Sequence, residues 1–326
     1  MKNMKTAAGM LCLAGILSLG MGTTVFAEDG DSHYPVTITT YNYENEPVEM
    51  TFEKAPEKVF AYANSNVEEL LALGLGDKIV AACGLDGDVR EDLKDEFDKI
   101  QYMDTKPSKE EVVAMEPDFI AAWYSSFSDD WLSDVSFWQE RDVNTYMSLN
   151  SAAKGPASEF PRTIEDEYED ILNLGKIFDC EDKAEEIVDQ MKGEIDKVKE
   201  HVEGTDPLSV AVLEDEGDSF RVYGTETLGG NIPETLGAEL KLGAENSENV
   251  GAEDLIAADP DVLFMINYDG FMTADEAIAD ITDNPAYASL SAVKNNKVFS
   301  VNLNEVYCSG VRTYDGIMTF AKALYP

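Results

Sequence analysis

Aromatic residues and arginines stand at the ends of short apolar runs in both halves of the chain. Tyr62 closes Val59-Phe60-Ala61, and the pair Trp123-Tyr124 follows Phe119 to Ala122. In the second half the counterparts are Arg221, Tyr223 and Tyr268, with Tyr307 and Arg312 in and beside a Cys-Ser-Gly-Val-Arg-Thr-Tyr segment. A flat aromatic surface beside a guanidinium suits a bulky, partly apolar ligand that carries oxygen groups. Trp123 is the strongest aromatic candidate, because a Trp at a strand exit rarely buries fully. Arg312 is the strongest cation, since only five arginines are present. Each aromatic taken alone fits a core position as well as a pocket wall.

Other chemistry finds little support. The nucleophile motif GxSxG, a P-loop and a GxGxxG after a strand are missing. The chain has 2 histidines, His33 and His201. That supply is too small for a Ser-His or Cys-His site, and neither His is placed as an axial haem ligand or in a His-rich metal centre. The 65 Asp and Glu residues offer no singled-out pair for a carboxylate hydrolase. Cys83, Cys180 and Cys308 lie far apart without CxxC spacing and read as inert thiols. A formal net charge of −41 excludes nucleic acid as a partner, because phosphate binding needs a basic surface.

Residues 1–27 read as a secretory signal. Lys2 and Lys5 precede an apolar run from Ala7 to Met21, and Val25-Phe26-Ala27 is a cleavage sequence. The context of Cys12 fits a lipid-attachment site poorly. No later segment is apolar enough to span a membrane.

The mature chain, from Glu28, is long enough for two lobes. Residues 35–53 alternate as a short hairpin. From Lys58 strands alternate with helices: strands at 59–62, 78–83 and 119–123, helices at 67–73 and 110–115. This pattern implies parallel sheets wrapped by helices. Residues 163–203 contain no strand, and Ala184, Ile187, Val188, Met191, Ile195, Val198 and Val202 form a stripe at helical spacing. The βα pattern resumes with strands at 209–213, 262–266 and 298–301. The expected organisation is an N-terminal lobe (28–160), a helical bridge (161–204) and a C-terminal lobe (205–326), both lobes Rossmann-like α/β.

The halves repeat one another. Glu110-Glu111-Val112-Val113-Ala114-Met115-Glu116-Pro117-Asp118-Phe119-Ile120 parallels Glu253-Asp254-Leu255-Ile256-Ala257-Ala258-Asp259-Pro260-Asp261-Val262-Leu263. Each is a short helix stopped before Pro, a Pro-Asp turn and an apolar strand. Ser65 to Glu68 and Asn231 to Glu234 both have capping-box spacing and read as helix openings that face a crevice between the lobes.

Across nearly the whole mature chain the sequence resembles the siderophore- and cobalamin-type solute-binding proteins of ABC importers. The resemblance rests on Ala55-Pro56-Glu57-Lys58-Val59 with Glu69 to Gly74, and on the two Glu…Pro-Asp segments. It continues through Leu174-Gly175-Lys176-Ile177 with Lys183-Ala184-Glu185, and through Asn284 to Tyr287, Leu290 to Lys294 and Lys297-Val298-Phe299. It implies two rigid lobes joined by a long helix, a ligand cleft between them and a monomer outside the cytoplasmic membrane. It also implies that Glu110 and Glu253, one per lobe, dock to the permease. A dense arginine cluster for a triply anionic complex is missing. The expected ligand is therefore a ferric siderophore of lower charge, with cobalamin or haem as alternatives. The readings from other classes are a secreted carboxylate-dependent hydrolase and an adhesion protein.

Overall fold

In a computed structural model, residues 33–151, 161–243, 249–268 and 270–326 are described. The expected signal segment and Cys12 lie outside them. Val36–Tyr41 (β1) and Pro47–Phe52 (β2) pair antiparallel as the expected hairpin, with Ile38, Met50 and Phe52 turned inward. The first lobe then runs Val59–Tyr62 (β3), Asn64–Ala72 (α1), Ile79–Cys83 (β4), Lys94–Phe97 (α2), Tyr102–Met103 (β5), Lys109–Ala114 (α3), Phe119–Ala122 (β6), Val135–Gln139 (α4) and Asn144–Met147 (β7). Its sheet has the order β5-β4-β3-β6-β7 with every pair parallel. The central strands β3 and β6 are buried on both faces, and burial relaxes only at Tyr62, where β3 leaves the sheet.

Two helices follow, Ile164–Ile177 (α5) and Glu181–Val202 (α6). Thr163 and Asp166 form a capping box at the start of α5. The apolar stripe of α6 buries Ala184, Val188, Met191 and Ile195. The helix packs on α5 and on Thr313–Leu324, the last helix of the chain. It is therefore covered by the protein's own elements.

The second lobe contains Ser209–Asp215 (β8), Phe220–Val222 (β9), Leu228–Thr235 (α7), Glu239–Leu240 (β10), Ala252–Ala258 (α8), Val262–Asn267 (β11), Ala274–Thr282 (α9), Ser291–Lys294 (α10), Val298–Asn302 (β12) and Thr313–Leu324 (α11). Its sheet order is β10-β8-β11-β12, all parallel, with β9 added antiparallel to β8. One apolar core runs from the first sheet through α5 and α6 into the second sheet. Each lobe adds a smaller core on its outer side.

The sequence repeat is a repeat of backbone geometry. α3 and α8 both end in a left-handed residue, Glu116 (φ 51°) and Asp259 (φ 40°), just before the Pro. Asp118 accepts from the Lys58 N–H at 2.8 Å, next to the start of β3. Asp261 accepts from the Ser209 N–H at 3.0 Å, at the start of β8. The Pro-Asp aspartate therefore ties β6 to β3 in one lobe and β11 to β8 in the other.

The helix openings differ from the sequence expectation. α1 begins at Asn64, after Ala63 with φ 74°, so Ser65 and Asn66 lie inside its first turn. α7 opens at Thr227, which accepts from the Gly230 N–H, and Asn231 lies inside that helix. Tertiary contacts took over these side chains. Ser65 accepts from Trp123 (2.9 Å), and Asn231 accepts from the Ile164 N–H (2.9 Å), which opens α5.

Candidate functional site

The carboxyl ends of β3, β4 and β6 and of β8, β11 and β12 carry the loops that face one another. This is where an open α/β sheet leaves its crevice. On the first-lobe side Tyr62 lies edge-on to Trp131, with ring centroids 4.7 Å apart, and to Trp123 at 6.4 Å. Gly84 makes this arrangement possible. A Cβ there would stand 2.1 Å from the Tyr62 ring, and its φ of +78° suits only glycine. Lys106, which sequence reasoning missed, completes the wall. Its ammonium sits 3.6 Å from the Trp131 ring centroid and 5.6 Å from that of Tyr62, a cation–π arrangement. Partial burial lowers the Lys106 ammonium's pKa, and burial followed by the charge of Asp86 raises that of the Tyr62 phenol.

Trp123 is half-buried and meets Tyr307 of the second lobe at 6.0 Å, tilted by 70°. Beneath them Ser65 lies 3.9 Å from the sulfur of Cys308. The cleft therefore has a floor made by both lobes. Beside it a cavity of about 570 Å³ is lined by the 85–89 loop, Phe97 and Tyr102 from the first lobe and by Gly270 from the second. Its size fits a small-molecule site.

The other expected residues divide into three groups. Tyr124 stacks on Tyr43 at 4.7 Å, so the β1–β2 hairpin buttresses the wall. Arg221 and Tyr268 stay open to the cleft side of the second lobe. Arg221 lies over the Tyr223 ring (5.2 Å) and 3.6 Å from Glu214. Tyr268 stacks nearly parallel on Phe271 at 4.9 Å. Phe271 is 73% exposed and was also missed from sequence. A large aromatic in a glycine turn is the signal that could have found it. Tyr223 and Arg312 turn inward. Tyr223 is 1% exposed and donates to Glu214 at 2.9 Å, which makes it a packing residue behind Arg221.

Arg312 grips Glu68 with two hydrogen bonds of 2.7 Å, and also donates to the Asp88 carbonyl. It spans from the 310–312 turn to α1 and holds the lobes together. The same junction buries Glu69, Glu167 and Asp170. Glu167 accepts from Asn150 (2.6 Å) and from the Gly310 N–H, and Asp170 accepts from Tyr146 (2.7 Å) and Leu149. A side chain at Gly310 would collide with Glu69, its Cβ 2.7 Å from the carboxylate oxygen. Burial raises the pKa of Glu167 to about 7. Burial, followed by the neighbouring carboxylates, raises those of Glu69 and Asp170 well above the usual range.

Cys83 and Cys308 are buried and Cys180 is half-buried, all three free. Burial raises the pKa of the Cys83 and Cys180 thiols to about 11.

Two α/β lobes on a helical strut, with an aromatic crevice between them, define a solute-binding protein. A family model described as periplasmic binding protein matches residues 59–302, and the chain belongs to that family. A periplasmic binding protein from Veillonella parvula is 33% identical, with a TM-score of 0.83 over 90% of this chain and 92% of that one. The ABC transporter substrate-binding lipoprotein YvrC of Bacillus subtilis is 25% identical over 335 residues, 99% of this chain and 98% of that protein. The petrobactin-binding protein YclQ of the same organism is 24% identical over 265 residues, 79% of this chain and 78% of that one. Proteins of this family are extracytoplasmic binding proteins that hold a small ligand and work with the permease of an ABC importer. Among the described residues no helix is long and apolar enough to cross a membrane.

Proposed function

We propose that the protein captures a ferric siderophore of low net charge in the Tyr62–Trp123–Tyr307 cleft and hands it to an ABC permease, with no catalysis of its own. The observation that carries this reading is the cleft's composition. Its walls are aromatic, and the cations beside them are sparse: Lys106 over the Trp131 and Tyr62 rings, Arg221 paired with Glu214, and Lys94 in the adjoining cavity among Asp86, Asp88 and Asp98. Because Arg312 is engaged by Glu68, the positive charge left for the ligand is small. A relative that binds petrobactin supports the ligand class. The histidines disfavour haem, since His33 lies at the α5–α6 turn and His201 near the end of α6.

Handover would use the two repeated helices. In α3 and α8 the second acidic residue folds back on the cap, Glu111 onto the Ser108 N–H (2.7 Å) and Asp254 onto the Gly251 N–H (3.0 Å). Glu110 and Glu253 are left exposed. One turn further on, Val113 and Ile256 are exposed by 38% and 37%. A carboxylate beside an apolar side chain, once on each lobe, suits a permease surface that is basic and partly apolar. In this reading 161–204 is the strut between lobes 28–160 and 205–326, and the protein acts as a monomer.

The test is tryptophan fluorescence of residues 28–326, titrated with ferric hydroxamate, ferric catecholate, haem and cobalamin. All three tryptophans lie in the first lobe, and Trp131 and Trp138 are buried with bonded N–H groups. Saturable quenching by a ferric siderophore, weakened at least tenfold by Trp123→Ala, is the expected result. Saturation by cobalamin or haem alone would replace the ligand class. Turnover of a glycoside panel would overturn the binding role.

A further inference from the structure

Far from the cleft, the start of the described chain meets the turn between α5 and α6. His33 Nε2 lies 2.7 Å from the Lys176 carbonyl oxygen. A carbonyl can only accept, so Nε2 carries a proton and donates it. In the neutral ring the free lone pair is then on Nδ1. That nitrogen faces Asp179 Oδ1 at 3.4 Å and Glu181 Oε1 at 3.2 Å. A lone pair does not rest between two anionic oxygens without a positive charge among them. The charge is either a second ring proton or a metal ion.

The distances fit the second. A charge-assisted N–H···O bond to a carboxylate closes to about 2.7–2.9 Å, and one proton points at one oxygen. Both separations here are longer and nearly equal. Ligands at about 2.0–2.1 Å from a tetrahedral zinc ion stand about 3.3–3.4 Å from one another, the edge of that tetrahedron. The three ligand atoms all lie within 4.8 Å of one another.

The surroundings fit as well. A metal-binding His characteristically donates its other N–H to a backbone carbonyl, which fixes its tautomer and orientation, as Lys176 does here. Tyr34 braces the ring edge-on at 4.5 Å and donates to the Ile177 carbonyl at 2.9 Å. Its phenol is raised to about 12 by burial and then by the charges of Asp179 and Glu181. Asp179 is set in place by a left-handed backbone (φ 54°), and Glu181 is the first residue of α6. Among the described residues neither carboxylate has a Lys or Arg partner.

We propose that His33 Nδ1, Asp179 and Glu181 form a binding site for a borderline divalent cation, with Zn²⁺ as the reference ion and water completing its shell. The ion would pin the start of the mature chain to the junction of the two bridge helices. This is independent of what the cleft holds.

The test is equilibrium dialysis of chelator-stripped residues 28–326 against Zn²⁺ at pH 7.5, with metal analysis, beside His33→Gln and Asp179→Asn. Circular dichroism checks that each variant is folded. Expected are one tightly held ion per chain, at least tenfold weaker binding in each variant, and a rise in Tm with Zn²⁺ in the parent only. Co²⁺ should give the intense visible bands of a four-coordinate site, and these should vanish with His33→Gln. Zinc binding that is unchanged by His33→Gln would overturn the site and mark the binding as adventitious on an acidic surface. No saturable binding in the parent would overturn it too.

Discussion

Glu68, Glu69, Glu167 and Asp170 are sealed between the lobes, whereas Glu110 and Glu253 stand in solvent on the outer helices α3 and α8. The side-chain chemistry is the same and the consequences are opposite. A carboxylate removed from water must find a cation, several donors or a proton. At the junction all three solutions appear. Glu68 takes the Arg312 guanidinium, Asp170 takes the Tyr146 hydroxyl and the Leu149 N–H, and burial drives Glu69, Glu167 and Asp170 itself toward their protonated forms. The exposed pair needs no such partner, and so remains free to meet another protein. Inside, acidity fixes how the lobes sit; outside, it is available for recognition.

The comparison breaks most visibly at Glu68. Its side chain is 0% exposed, and Arg312 opposite is 12% exposed. Glu68→Gln would leave a nearly buried guanidinium without its counter-charge. Removing one partner of a buried pair costs about 3–5 kcal/mol. Urea unfolding should register that loss, and the double variant Glu68→Gln/Arg312→Met should recover most of it. A loss below about 1 kcal/mol would show that the junction does not depend on this pair.

The pH dependence sharpens the contrast next. Glu167 is a carboxyl whose folded pKa is raised, to about 7, so the native state holds a proton that the unfolded chain releases near its ordinary value. Its stabilising contribution is complete below the unfolded value and is lost as pH climbs through the folded one. Between about pH 4.5 and 7 stability should fall by roughly 3 kcal/mol from this group. Glu69 and Asp170 act in the same direction, and so does relief of the surface charge on acidification. Glu167→Gln isolates one share, because the slope of stability against pH in that window should flatten whatever its baseline. An unchanged slope would mean that Glu167 is ionised in the folded protein throughout.

The exposed half of the comparison was legible in sequence and the buried half was not. Glu110 and Glu253 announce themselves because each lies in a local pattern, helix, Pro-Asp turn and strand, repeated within a few residues. The apolar runs gave the central strands of both sheets for the same reason, although β5, β9 and β10 were too short to stand out and the edge strand β7, with Asn and Thr in its four residues, was missed. Glu68 and Arg312 are 244 residues apart, and no local signal joins them. Arg312 therefore looked like a ligand cation when it is a lobe clasp. Ser65 and Asn231 carried cap spacing, but tertiary partners claimed their side chains and the helices opened elsewhere. Lys106 went unnoticed because a single Lys in a loop has meaning only once the Tyr62 and Trp131 rings stand beside it, whereas Phe271 carried a local signal, an exposed aromatic next to a glycine, that was passed over.

The smallest expected effect on stability belongs to Glu110 and Glu253, the proposed docking pair. Glu110→Ala and Glu253→Ala should each leave stability within about 0.5 kcal/mol of the parent, as for ordinary surface positions. Ligand affinity should not change, because both side chains are exposed and neither lines the cavity or the aromatic wall. Binding to the cognate permease in nanodiscs should weaken with either substitution, and more than additively with both, if one permease grips the two lobes at once. Val113→Asp or Ile256→Asp should weaken it again at unchanged ligand affinity. A permease that binds the double glutamate variant as well as the parent would place docking on another face, and would leave the Glu…Pro-Asp repeat as a folding unit alone.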